Sequence, residues 1–148
     1  MSLQKQVMEQ IKTAMKSKDK VALESLRALK SAFLLANTSG SNVELSEEEE
    51  IKIVQKLVKQ RKDSAAIFDD QGRSDLADPE KAQAKILEQF LPTQMSEEEL
   101  KEVIKEIVTK IGASSMKDMG KVMGMASKQL AGKADGKAIS TVVKEMLS

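Results

Sequence analysis

Residues 116–148 concentrate the groups suited to holding a phosphate. Lysines stand at 117, 121, 128, 133, 137 and 144, so six lysines against three acids (Asp118, Asp135, Glu145) leave residues 112–148 at +3. Eighteen basic against twenty acidic side chains leave the remainder at −2. Gly120 and Gly124 fall one helical turn apart on one side, which costs roughly 1 kcal/mol each relative to alanine and lets another backbone or a ligand come close. Lys117, Lys121 and Lys128 stand around this bare strip. A second helix starting at Gly136, flanked by Lys133 and Lys137, would offer unpaired amides and partial positive charge to an anion. Asp135 competes for those donors, because a capping carboxylate uses the same amides. The alternative reading of the same residues is a small helical domain with solvated lysines and glycines used for packing and caps.

A second constellation lies upstream. At about 100° per residue, the helix over residues 47–70 places Val54, Leu57, Val58, Ala65 and Phe68 on one face and Lys52, Lys56 and Lys59 on the other. Arg61 falls in the middle of the apolar face, where a charge requires a partner. The acids of the turn Asp69-Asp70-Gln71-Gly72-Arg73-Ser74-Asp75 are the candidates. The structural reading is a buried or interdomain ion pair. The functional reading is a cleft in which Arg61, Arg73 and Asp75 converge on a polar ligand.

Composition narrows the chemistry further. The chain of 148 residues has no Cys and no His, so thiolate nucleophiles, thiolate metal sites and imidazole bases are all excluded. No catalytic residues, metal ligands or cofactor site are expected. Phe33, Phe68 and Phe90 are the only aromatics, too few for a platform on which unpaired bases stack. With a net charge of +1, nucleic-acid binding would have to address a folded shape and its phosphates. Nine methionines point to an adaptable aliphatic interior. The apolar runs are too short for a membrane span or a signal peptide, so a cytoplasmic location is expected.

The elements that must position these groups read as helices throughout. Leu3, Val7, Ile11 and Ala14 recur at helical spacing after the cap Ser2, and Asp19 caps a second helix carrying Leu26, Leu29 and Phe33. A polar loop follows around Gly40, expected to be exposed and mobile. Ser46-Glu-Glu-Glu-Glu50 is a capping box opening the helix 47–70, which Gly72 ends. Asp78-Pro79 predicts a cap and first position for a helix running to Phe90. Pro92 stops it, and Ser96-Glu-Glu-Glu99 opens another helix through Ile111. Helices over 116–131 and 136–147 meet at Gly132-Lys-Ala-Asp135. The chain is therefore expected to be all-α, a helical N-terminal domain of about four helices (1–92) and a small three-helix C-terminal domain (96–148).

The ordered motifs Val58-Lys-Gln-Arg-Lys-Asp-Ser64, Gly72-Arg73, Asp75-Leu76, Leu87-Glu-Gln-Phe-Leu-Pro92, Met119-Gly-Lys-Val-Met123 and Gly132-Lys-Ala-Asp-Gly-Lys137 resemble the GatB/YqeY family. The resemblance covers nearly the whole chain and is specific to YqeY-like members. It implies a C-terminal part similar to the tail of the GatB subunit of the glutamine-dependent aminoacyl-tRNA amidotransferase, and hence tRNA contact. Onto this chain it carries RNA binding at Lys117, Gly120, Lys121, Gly124, Lys128, Lys133, Gly136 and Lys137. The catalytic portion of GatB, a carbon–nitrogen ligase using glutamine as amido donor, has no counterpart here.

Three functions follow as expectations. The first is a non-catalytic module contacting the tRNA backbone, its acidic N-terminal elements repelling RNA and binding an aminoacyl-tRNA synthetase or amidotransferase subunit. The second is a protein-interaction adaptor docking through the Met-rich helix from Met116 to Met125. The third is an amidotransferase accessory factor or small enzyme using Arg61, Arg73 and Asp75.

Overall fold

Capping side chains set several of the helix starts in the computed structural model, which describes residues 2–38 and 44–148. Ser2 accepts from the Lys5 amide to open α1 (Leu3–Ser17), and Asp19 Oδ1 accepts from the Ala22 amide at 3.1 Å to open α2 (Lys20–Thr38). Lys18 between them is left-handed, with φ 58°. Ser46 and Glu49 form the reciprocal capping box of α3 (Glu47–Asp70), with Ser46 N donating to Glu49 Oε2 at 2.8 Å. Ser96 and Asp135 cap α5 (Glu97–Ile111) and α7 (Gly136–Leu147) through their side-chain oxygens. Gly72, Gly112 and Gly132 supply the positive φ at which α3, α5 and the α6–α7 corner stop. The expected loop around Gly40 lies outside the described residues.

The protein is all-α: among the described residues every regular element is helical. No helix there is long and apolar enough to cross a membrane. Two compact units follow one another, Met1–Leu91 with α1–α4 and Pro92–Ser148 with α5–α7. Val7, Ala14, Leu26, Leu29, Phe33, Val54, Val58, Leu87 and Phe90 form the first core. Leu100, Ile104, Ile107, Val122, Ala126, Leu130, Ile139, Val142, Val143 and Leu147 form the second.

Two expectations about α4 change. The helix spans Ser74–Glu88, starting before the expected Asp78 cap, with Pro79 inside it. At the sixth position Pro79 withholds the amide that would bond the Asp75 carbonyl and crowds that carbonyl with its ring; Asp75 is exposed, so water can take up the freed acceptor. Burial of Ala77, fully shielded from solvent, holds this early turn in place. Arg73 assists by closing on Asp75 through Nε and Nη2 at 3.0 and 2.9 Å.

The N-terminal unit also buries an acid. Glu50 is 5% exposed and one of its carboxylate oxygens lacks a hydrogen-bond partner. Burial holds its carboxyl above the ordinary range; the Gln4 amide opposes this, and Glu47 and Glu44 add to it. Because the folded state keeps this proton to higher pH than the unfolded chain, stability falls as pH rises from the usual carboxylate value through the raised one. Glu50→Gln is accordingly expected to stabilise the protein at neutral pH and to flatten that decline. Thermal melts of both forms across the acid-to-neutral range check it.

Candidate nucleic-acid interface

The corner joining the last two helices is built from short-range signals. A 3₁₀ turn at Met116–Asp118 leads into α6 (Met119–Gln129), so the helix expected from Met116 has a tighter first turn. Asp118 causes this by accepting the Ser114 amide on Oδ2 at 3.0 Å while donating its own amide to the Ser115 carbonyl. After α6, Gly132 adopts φ 79°, and Asp135 Oδ1 takes the Ala138 amide at 2.6 Å.

Amphipathicity then fixes which side chains face water. Val122, Ala126 and Leu130 are buried in the core, which turns Lys117, Gly120, Lys121, Gly124 and Lys128 together toward solvent. A Cβ built at Gly120, Gly124 or Gly136 would meet nothing within 4 Å. The bare strip is therefore open, and packing within the fold does not account for it. Lys133, Lys137 and Lys144 are exposed as well, and none of the six lysines forms an ion pair among the described residues. From Lys121 to Lys128 the helix advances about 10 Å, a reach of about three phosphates along a duplex strand. This surface can neutralise phosphates and admit a backbone closely.

The expected phosphate cup at the start of α7 is partly closed, because Asp135 holds one of its amides. Beside it lies a cleft of about 390 Å³ between α5 and α7, lined by Met95, Leu100, Lys133, Asp135, Ala138 and Val142 among others. Asp135 and Glu97 line this cleft with Lys133, so the cleft itself is less suited to a phosphate than the open strip, while Lys133 remains exposed to solvent. Of the four methionines between residues 116 and 125, Met119 and Met123 pack against the core, leaving Met116 and Met125 exposed.

Gln94 is a structural contributor that falls between the two domains expected from the sequence, 1–92 and 96–148. Its Nε2 donates to the Gly132 carbonyl at 2.6 Å and to Pro92 O at 2.9 Å, while the Met95 amide donates to Lys133 O at 3.0 Å. These bonds pin the corner that presents Lys133 and Lys137. A lone glutamine carries no periodicity or capping signal that would have announced it.

The N-terminal elements, expected to be acidic, carry no net charge as a unit. Split at Pro92, residues 1–91 balance fifteen basic against fifteen acidic side chains, so the N-terminal unit is neutral. The acidic excess belongs to α5, where Glu97, Glu98, Glu99, Glu102 and Glu106 outnumber Lys101, Lys105 and Lys110. The C-terminal unit thus has acid on α5 and base on α6 and α7, which gives it an electrostatic direction.

Arg61, Arg73 and Asp75 do not assemble. Arg73 and Asp75 pair with each other in the open, which lowers the Asp75 carboxyl below its usual range. Asp69 is held by Lys81 at 2.8 Å. Arg61 has no ion-pair partner among the described residues, and its Nε is buried without an acceptor, so the expected ion pair with the Asp69–Asp75 turn is not made. Asp69 lies eight residues along α3, about 12 Å away. The doubling back of α4 brings Glu80 and Gln83 near Arg61 instead.

Comparison with known proteins places this architecture. The family model described as Yqey-like protein matches residues 4–147. A 73-residue stretch, 47% of the chain, is 41% identical to a glutamyl-tRNA(Gln) amidotransferase subunit of Thermococcus gammatolerans, of which it covers 12%. The equivalent amidotransferase protein of Methanobrevibacter smithii is 41% identical over 59 residues, covering 37% of this chain and 10% of that one. Altered inheritance of mitochondria protein 41 of Pyrenophora tritici-repentis is 27% identical over 141 residues, 93% of this chain and 76% of that one. The chain therefore spans about a tenth of the two amidotransferase proteins and about three quarters of the mitochondrial protein.

Proposed function

This chain belongs to the Yqey-like protein family, and on that premise we propose that it is a non-catalytic, tRNA-associated module whose C-terminal unit contacts the tRNA backbone. The observation that carries the reading is the open glycine strip of α6, ringed by lysines that no acid pairs with among the described residues. Lys117, Lys121, Lys128, Lys133 and Lys137 neutralise phosphates, and Gly120, Gly124 and Gly136 give the backbone room. Contacts of this kind position a folded RNA without reading its sequence. The similarity to two proteins named as glutamyl-tRNA(Gln) amidotransferase subunits favours an amidotransferase component as protein partner; an aminoacyl-tRNA synthetase is the other partner proposed, and the cytoplasm the proposed location. The neutral helices α1–α4 are the half left free to meet such a partner.

The glycines supply a test that separates function from packing. Changing Gly120 and Gly124 to Ala adds methyl groups where nothing stands in the way, so the double variant should gain about 1 kcal/mol or more of helix stability. Its affinity for tRNA should fall because the added methyls keep the RNA backbone off α6. A variant that is more stable and binds tRNA as tightly as the parent would refute close approach at this strip.

A further inference from the structure

Arg61 occupies a core position without a core role. It follows Val58 by three residues and precedes Ala65 by four, both buried, so its register on α3 is that of a packing residue. Its Nε–H is shut from solvent with no acceptor, a loss the fold would avoid with an aliphatic side chain. The nearby cations Lys59, Lys62 and Lys81 each have a carboxylate partner in Asp63, Glu88 and Asp69. Arg61 lines a solvent-open cleft of about 550 Å³ between α3 and α4 with Gln60, Asp63, Ser64, Glu80 and Gln83.

The other groups in this cleft limit what it can hold. Asp63 is engaged by Lys59 at 3.3 Å and the Gln83 amide by Glu24 at 3.1 Å. Arg61 on one wall and Glu80 on the other are left without ion-pair partners among the described residues, and they do not bridge each other. A phosphate or other polyanion would meet Asp63 and Glu80, and a simple cation would meet Arg61. A ligand carrying both signs a short distance apart satisfies both walls. We propose that the α3–α4 cleft binds a small zwitterion of the α-amino-acid class, with its carboxylate on the Arg61 guanidinium and its ammonium on Glu80.

This site is built from α3 and α4 alone, so it stands or falls separately from RNA contact by α6 and α7. The test is an NMR titration of the full ¹⁵N-labelled chain with each of the twenty L-amino acids. Sodium acetate, methylammonium chloride and sodium phosphate serve as single-sign controls. At least one amino acid should shift the α3 and α4 amides saturably, while the controls do not. Arg61→Met and Glu80→Gln should each weaken that binding on the order of tenfold, with Arg61→Met melting no lower than the parent. The proposal is overturned if no amino acid shifts the cleft, if acetate or phosphate alone saturates it equally, or if both variants bind like the parent.

Discussion

A variant with Lys121, Lys133 and Lys137 changed to Ala should lose tRNA affinity by on the order of tenfold or more at low salt, and its affinity should depend less on salt. Each lysine that neutralises a phosphate releases a counterion on binding, so losing one lowers the slope of log K against log salt by about one. Removing all three should therefore flatten it by about three. All three side chains are exposed and form no ion pair among the described residues, so the substitutions break no salt bridge there. The loss should be equal for different tRNAs, because phosphate contacts carry no sequence information. Filter binding across a salt series reads both quantities, and an unchanged slope with altered affinity would mean that these lysines act other than through phosphates.

Ile104→Ala should remove most of the stability of the C-terminal unit. Ile104 is fully buried on α5 amid Leu100, Val122, Ile139 and Val143, where α6 and α7 close over it. Truncating such a residue costs about 2–5 kcal/mol, the transfer free energy plus the cavity left behind. A domain is stabilised by roughly 0.05–0.15 kcal/mol per residue, so a unit limited to Pro92–Ser148 has only several kcal/mol to lose. Amide exchange should show the loss of protection concentrated in residues 92–148, and tRNA binding should fall with it. Protection lost equally in α1–α4 would contradict separate cores.

Local signals account for what the sequence disclosed about the fold. The Ser46 and Ser96 caps, the left-handed Gly72, Gly112 and Gly132, and the spacing of Val54, Val58 and Ala65 each act within a few residues and survive folding unchanged. Pro79 signals a helix start at Asp78, but it lies inside α4, where the burial of Ala77 outweighs what the proline costs. The lysines and glycines of α6 were legible as one face because helical periodicity alone places them. The surroundings of Arg61 were not, since Glu80 and Gln83 arrive from another helix whose start the sequence placed too late. Gln94 was illegible for the same reason: its partner, the Gly132 carbonyl, is distant in sequence.

The contact proposed for this chain is with folded RNA, through phosphates at α6 and the α6–α7 corner. The most direct test of this contact is equilibrium binding of the unmodified 148-residue chain to unfractionated tRNA over a salt series. Binding at low salt should weaken linearly in log K against log salt, with a slope corresponding to several phosphate contacts. No binding at the lowest salt, or binding indifferent to salt, would contradict it.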